Sequence, residues 1–396
     1  MTAGIIVAII ALPLSIALAL ASGVGPEAGI FTAIVAGFVI SALGGSSVQI
    51  AGPTAAFATI VAGIVAKDGM DGLVIATILA GIFLVLMGLC HFGSLIKFIP
   101  FTITTGFTSG IAVTIVIGQL KDFFGLTYPD GVKPIETTEK FRAVVENFST
   151  INIDALIVGA VSLAVLIIAP YIFKRIPGSL IAVIIGILMV QFLPLKVSTI
   201  GNLYTISNSL PSFHLPAVSL EVVQNALPNA FTIAVLAAIE SLLSCVVADG
   251  MINGKHRSDM ELVAQGAGNI ASALFGGIPA TGAIARTAAN IKNGGRTPIA
   301  GIVHSITLVI VLVVLMPYAG MIPMPTIAAI LFIVAYNMCQ WRTFVKLVKT
   351  APKSDIIVLF ASFILTVLFD LVVAIEIGMV LACLLFIKRM SEETHV

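Results

Sequence analysis

Long apolar blocks, separated by short polar stretches, run along almost the whole chain. Most blocks approach about 20 residues, the length with which an α-helix crosses the hydrocarbon core of a membrane. An outer-membrane β-barrel would instead show short segments of alternating polarity. The pattern therefore predicts an all-α polytopic membrane protein with about fourteen spans, two of them short. The predicted segments are 3–21, 28–43, 53–66, 72–90, 98–120, 154–173, 177–194, 226–248, 260–275, 282–292, 298–317, 325–340, 354–371 and 373–388.

Composition excludes several classes of protein. The 396 residues have a mean hydropathy of +1.15 and only 10% charged residues, whereas soluble proteins carry roughly 25%. A net charge of +1 leaves no basic excess for phosphate backbones, so we expect no nucleic-acid partner. The four cysteines are scattered and show no metal-ligand spacing. We therefore expect neither a cofactor nor a bound metal, other than H⁺ or Na⁺ as a coupling ion.

Basic residues predict the orientation of the chain. With fourteen crossings and a cytoplasmic N-terminus, thirteen of the twenty Lys and Arg residues fall in cytoplasmic loops and six in outer loops. The remaining one, Arg286, lies in a membrane segment. The positive-inside rule favours this arrangement. We expect a multi-pass protein of the plasma (inner) membrane with both termini cytoplasmic.

The two short segments are the strongest pointers to function. GGSSVQIAGPTAAFATIVAGIVAKDG begins at Gly44, and GGIPATGAIARTAANIKNGG begins at Gly276. Each passes from a Gly-Gly pair through a short extended stretch into a half-length helix, at the third and tenth predicted spans. Corresponding broken segments in two halves mark the binding site of many transporters. Because each half has seven spans, the second half must be inverted, which predicts a 7+7 inverted repeat.

Half-helices that start inside the protein can bind an anion. Their first N–H groups have no helical partner, and each N-terminus carries roughly half a positive charge. Thr54 is expected in the first turn of the first half-helix, with Ala283, Ile284 and Ala285 at the equivalent part of the second. Their small side chains would leave backbone N–H groups open to an anion.

Two charged residues, Glu240 and Arg286, lie well inside predicted spans. Glu240 follows a run of apolar and small residues, where a charge costs about 3 kcal/mol on insertion scales. We interpret it as a proton or cation coupling site, with oxygen ligands from Ser241 and Ser244. Arg286 would add positive charge to the anion site, or else form an ion pair with Glu240. Gln49 either contacts the substrate or satisfies the broken backbone.

Two long stretches resemble the SulP family of anion transporters, the sulfate permeases. They are ALPLSIALALASGVGPEAGIFTAIVAGFVISALGGSSVQIAGPTAAF and VVADGMINGKHRSDMELVAQGAGNIASALFGGIPATGAIARTAANIKNGGRTPIAGIVH. The resemblance covers essentially the whole chain. Family members usually continue into a cytoplasmic STAS domain, which we do not expect in this chain because it ends at SEETHV.

The resemblance implies an architecture. The inverted repeats would occupy 1–195 and 225–390. A core domain would combine 1–97 with 226–317, and a gate domain would combine 98–195 with 325–390. The core would move against the gate as an elevator. We also expect a homodimer in the lipid bilayer.

The resemblance also implies site positions. Family positions map onto Thr54 in span three, Glu240 and Ser244 in span eight, and Ala283, Ile284 and Arg286 in span ten. Members of the bicarbonate type carry Asp where Glu240 stands, so proton coupling is an alternative to sodium coupling at this site.

These observations predict secondary active symport of a small inorganic or organic anion, such as sulfate, bicarbonate or a dicarboxylate. The alternatives are an uncoupled exchanger or channel, and a nucleobase transporter of the same fold. A nucleobase site would favour polar or acidic side chains in span ten, where this chain has Ala-Ile-Ala-Arg. An intramembrane enzyme would need a nucleophile or metal constellation that is not apparent, so we do not expect an enzyme.

Overall fold

The computed structural model describes residues 1–94, 101–173 and 176–369, together with 377, 378, 380, 381 and 384. The first half of the chain contains α1 (Thr2–Ala21), α2 (Pro26–Leu43), β1 (Ala51–Gly52), α3 (Ala55–Leu89), α4 (Phe101–Phe124), α5 (Thr137–Glu146), α6 (Ile153–Ile172) and α7 (Gly178–Phe192). The second half contains α8 (Ile200–Leu203), α9 (Leu220–Ile252), α10 (Ser258–Leu274), β2 (Thr281–Gly282), α11 (Ile284–Lys292), α12 (Ile299–Ala319), α13 (Met324–Cys339), α14 (Trp341–Thr350) and α15 (Lys353–Leu368).

The helices have the length and polarity that a membrane requires. Within the described residues, eight helical segments are long and apolar enough to cross it, so the chain is a multi-pass membrane protein. Each apolar segment predicted before residue 371 corresponds to a helix. The last predicted span, 373–388, lies mostly outside the described residues. The all-α class with broken half-helices is confirmed, and an inverted repeat is consistent with this fold.

The third and fourth predicted spans lie in one run of helical residues, α3, which a break at Gly69 divides. Gly69 leaves helical geometry, with φ of 70° and ψ of −170°. Because a positive φ is strained for residues other than glycine, the polar sequence Lys67-Asp68-Gly69 separates two helices, as the sequence predicts.

Two groups of helices are in contact within the bundle. One contains α1, α2, α3, α9, α10 and α12; the other contains α4, α6, α7, α13 and α15. Inside the first group, α3 and α10 approach at Gly81 and Gly266. A Cβ atom on Gly81 would lie 2.6 Å from the carbonyl oxygen of Gly266, and one on Gly266 would lie 2.5 Å from that of Gly81. Small residues permit such backbone contact between membrane helices.

Outside the spans, α5 is a short helix in the long connection between α4 and α6. The backbone N–H groups of Ile135 and Glu136 donate to Glu139, which lowers the pKa of that exposed carboxyl. Together with Glu136 it forms a capping box that fixes the start of α5.

We predict that Gly81→Ala destabilises the protein by about 1–3 kcal/mol, the usual cost of forcing an extra group into a close-packed contact. The measurement is the midpoint of thermal unfolding in detergent. Gly63→Ala is the control, since it lies on the same helix with no atom within 4 Å of its added Cβ. Equal midpoints for the two variants would contradict the backbone contact between α3 and α10.

Candidate functional site

Two non-helical segments, called crossovers here, run from the Gly-Gly pairs at Gly44 and Gly276 through β1 and β2 to the next helices. They meet within the helix group that contains α1, α2, α3, α9, α10 and α12. β1 and β2 pair in antiparallel fashion, with Ala51 opposite Gly282 and Gly52 opposite Thr281. The pairing extends to Ala283, whose N–H donates to the carbonyl oxygen of Ile50 at 2.9 Å. The predicted open N–H of Ala283 is therefore already used by the backbone.

Glu261, Gln265 and Asn269 lie on one face of α10 and form a polar stripe. This stripe forms hydrogen bonds with the first crossover. Glu261 is fully buried, and its carboxylate accepts hydrogen bonds from the backbone N–H groups of Gly45 and Ser46 at 2.9 and 3.2 Å. The side-chain amides of Gln49 and Gln265 also donate to it, at 2.8 and 2.9 Å. This carboxylate therefore holds the chain that leads into β1.

The same stripe supports the second crossover. Asn269 and Ala280 exchange two hydrogen bonds of 2.8 Å, since the side-chain amide donates to the carbonyl and its oxygen accepts from the N–H. The hydroxyl of Ser272 donates to the carbonyl of Ile278 at 2.8 Å, and the N–H of Ile278 donates to Thr32 on α2 at 2.7 Å. The chain before β2 is thereby fixed to α10 and α2.

Each strand is followed by a helix that starts without a side-chain cap. Thr54 is the N-cap of α3 and Ala283 is the N-cap of α11, both with extended backbone. Thr54 thus lies one residue before the first turn in which the sequence had placed it. On α11, Ile284 and Ala285 are exposed, so the first N–H groups of this helix lie at an accessible surface.

Glu240 and the serines after it connect α9 to both crossovers. The hydroxyl of Thr54 donates to Glu240 Oε2 at 3.1 Å. Ser241 contacts Thr281 with an oxygen–oxygen distance of 2.6 Å, and Ser244 donates to Thr287 on α11 at 3.5 Å. The predicted coupling residues Glu240 and Ser244 therefore lie one helical turn apart on α9. Glu240 lies beside the start of α3.

Arg286 is buried beside the strand pair and does not reach the accessible surface. Its side chain is 1% exposed, and its Nη2 donates to the carbonyl of Pro53 at 2.7 Å. Its guanidinium group packs directly against Gly52. Its Nε and Nη1 have no partner among the described residues. No ion pair joins it to Glu240, although both residues are described, so that alternative is not realised here.

Gln49 has an internal role in this geometry. Its side-chain nitrogen donates to Glu261 and to the carbonyl of Ser241, at 2.8 and 3.3 Å, and the residue is 4% exposed. These contacts favour the second of the two roles considered from the sequence, in which Gln49 satisfies the broken backbone.

A cavity of about 490 Å³ lies between the two helix groups. Thr59, Gly63 and Lys67 line it along one face of α3, and Asn229 and Thr114 line it from α9 and α4. Thr59 is five residues beyond Thr54, about 7.5 Å along the helix. Thr54 and Glu240 are not among the described residues that line the cavity, which extends from α3 to the start of α5.

Glu261 was not among the residues predicted from the sequence, although the spacing of polar residues on α10 indicates it. Glu261, Gln265 and Asn269 recur at intervals of four residues, which places polar groups on one face of an otherwise membrane-length segment. In the parts of the chain that the structure describes, no three His, Cys, Asp or Glu side chains are grouped as metal ligands. The side chains of the polar stripe thus form hydrogen bonds with the backbone of the two crossovers.

Comparisons with known proteins agree on one family. The sulfate permease family matches residues 1–362. The putative sulfate transporter YvdB of Bacillus subtilis is 42% identical over 100% of this chain and 74% of its own length. The bicarbonate transporter BicA of Picosynechococcus is 33% identical over 98% of this chain and 70% of its own length.

Solved structures support the same assignment. The transmembrane domain of a cyanobacterial bicarbonate transporter BicA superposes with a TM-score of 0.84 at 29% identity, covering 94% of this chain and 96% of that domain. SLC26A9 shares the fold, with a TM-score of 0.88 at 20% identity over 98% of this chain and 64% of that one. The relatives named as sulfate and bicarbonate transporters are not enzymes, and the chain is a member of the sulfate permease family.

Proposed function

We propose that this chain carries a small anion of the sulfate, bicarbonate or dicarboxylate type by secondary active symport. The observation that supports this most directly is the meeting of two uncapped helix N-termini at one antiparallel strand pair. Backbone N–H groups at such ends attract anions without a dedicated cationic ligand. Ile284 and Ala285 would present these groups to the substrate, and Thr54 would contribute from the other helix.

Arg286 would act on the anion through its charge. Because its guanidinium group is buried behind Gly52 and donates to Pro53, direct contact with a substrate in the accessible region is not needed. A charge in a poorly solvated environment acts over several ångströms, since screening by water is weak there. Ala283 would shape the site through its backbone, and Gln49 would hold the strand in place.

Glu240 would bind the coupling ion, either H⁺ or Na⁺. Its hydrogen bond with Thr54 joins the carboxylate to the N-cap of α3. Binding of a cation at Glu240, with Ser244 as a further oxygen ligand, would thereby change the field at the anion site. This link between the two sites is what symport requires, whereas an uncoupled exchanger or channel does not need it.

The packing supports an elevator in which one helix group moves against the other. The strand pair, α3, α9, α10 and α11 belong to the group that would move, and the cavity lies between the groups. We further propose a homodimer in the inner membrane, with cytoplasmic termini and with core and gate domains bounded as the sequence predicted. Burial of the described apolar contacts within each group would let each move as a body.

Ligand-dependent thermal stabilisation of the purified protein tests the substrate class. A ligand at 100 times its dissociation constant adds about 2.7 kcal/mol of stability. We expect sulfate, bicarbonate or fumarate to raise the unfolding midpoint, and uracil to leave it unchanged. A shift with uracil alone would replace the anion proposal with the nucleobase alternative.

Glu240→Gln should abolish gradient-driven uptake into proteoliposomes while it retains some anion counterflow. The amide oxygen of Gln can still accept the hydroxyl of Thr54, but the group no longer changes charge. Glu221→Gln is the matched control, because Glu221 lies in the first turn of the same helix and is exposed. Undiminished gradient-driven uptake by Glu240→Gln would reject its coupling role.

Arg286→Gln should raise the apparent KM for the anion roughly tenfold, equivalent to about 1.4 kcal/mol of lost attraction. Arg286→Lys should recover part of this loss, since the charge is kept while the geometry of the bond to Pro53 changes. Initial rates over a range of anion concentrations measure the effect, with Arg296→Gln as the control at a second arginine near α11. An unchanged KM in Arg286→Gln would show that this charge does not act on the anion.

A further inference from the structure

The chain breaks sharply between α13 and α14. Gln340 adopts a left-handed conformation, with φ of 44° and ψ of 45°, between the last residue of α13 and the first of α14. The hydroxyl of Ser109 on α4 donates to the carbonyl of Cys339 at 2.9 Å, which satisfies the end of α13. Thus α14 is a helix of its own that begins after the break at Gln340.

The ten residues of α14 are WRTFVKLVKT, and their basic and apolar side chains lie on different sides of the helix. At 100° per residue, Arg342, Lys346 and Lys349 fall within an arc of about 60°. These three residues form the basic face of α14. All three are exposed, and the helix contains no acidic residue.

The opposite side of α14 is anchored to the bundle. The ring of Phe344 contacts those of Phe360 and Phe363 on α15, with centroid distances of 5.7 Å. Leu347 and Val348 are half-buried on the same side, and no residue of the helix is fully buried. The helix is therefore held at the edge of the bundle, with its basic face directed away from it.

Exposed apolar residues lie beside the basic face. Trp341 is 47% exposed, and its indole N–H donates to the hydroxyl of Tyr336 at 3.2 Å. Arg342 lies over the Trp341 ring at 5.7 Å, and Val345 is exposed one turn further along. Trp and Tyr next to Lys and Arg are typical of the boundary between acyl chains and headgroups.

We propose that the basic face of α14 binds the headgroups of anionic phospholipids. Charge complementarity supports this occupant, because the three cations have no carboxylate partner among the residues that the structure describes. The adjoining apolar strip, Trp341 and Val345, fits acyl chains, which a soluble acidic protein would not supply. Basic amphipathic helices bind membrane surfaces through this combination of charge and apolar area.

Trp341 provides a direct probe, since it is the only tryptophan in the sequence. The full chain is reconstituted into vesicles that contain the same fraction of brominated phospholipid, either phosphatidylglycerol or phosphatidylcholine. We expect the brominated phosphatidylglycerol to quench Trp341 with a preference of roughly fivefold or more, the factor that a single basic residue near an anionic surface contributes. Added salt should reduce the preference, because it screens exposed charges.

The variant Arg342→Gln, Lys346→Gln, Lys349→Gln removes the basic face and keeps Trp341. It should be quenched equally by both lipids. The control variant Lys133→Gln, Lys196→Gln, Lys255→Gln removes the same charge from exposed positions elsewhere and should keep the preference. Equal quenching in the unmodified chain would overturn the proposal. A preference that survives in the α14 variant would also overturn it. Neither readout depends on transport activity.

Discussion

Every backbone N–H and C=O group at membrane depth needs a partner inside the protein, because lipid supplies none. The two crossovers, which leave helical geometry in the middle of the bundle, are where this requirement is hardest to meet. Their mutual strand pairing satisfies only part of it. Other groups are satisfied by buried side chains, among them Glu261 and Asn269 on α10, Thr32 on α2 and Arg286 on α11. The candidate site depends on this support, since without it the two helix N-termini would have no fixed position.

The electrostatic arrangement follows from the same crossovers. Positive backbone ends and a buried guanidinium group favour an anion, while Glu240 introduces a carboxyl group at the N-cap of α3. Groups that attract an anion and a carboxyl group that can bind a cation are thus combined within one small region. Arg286 is buried with its guanidinium group against Gly52, so its side chain does not occupy the accessible surface.

Periodicity and composition were sufficient to predict the helical membrane fold and the broken segments, because both leave a local record in the sequence. Thr54 and Glu240 are hydrogen-bonded and Ser244 lies one turn further along α9; the Gly-Pro pair and the intramembrane acid are conspicuous in the sequence. The direction of Arg286, the internal bonds of Gln49 and the role of Glu261 depend on partners 192 to 233 residues away along the chain. The break in α3 at Gly69 was predicted, because the polar sequence Lys67-Asp68-Gly69 separates two apolar blocks.

One helix, α10, holds the approaches to both strands and touches α3 backbone to backbone at Gly81 and Gly266. This arrangement has a mechanical consequence. A local hinge at either crossover would break several buried hydrogen bonds at once, whereas translation of both crossovers together with α2, α3, α9, α10 and α11 would keep these bonds. The two crossovers are therefore rigid relative to the helices that hold them.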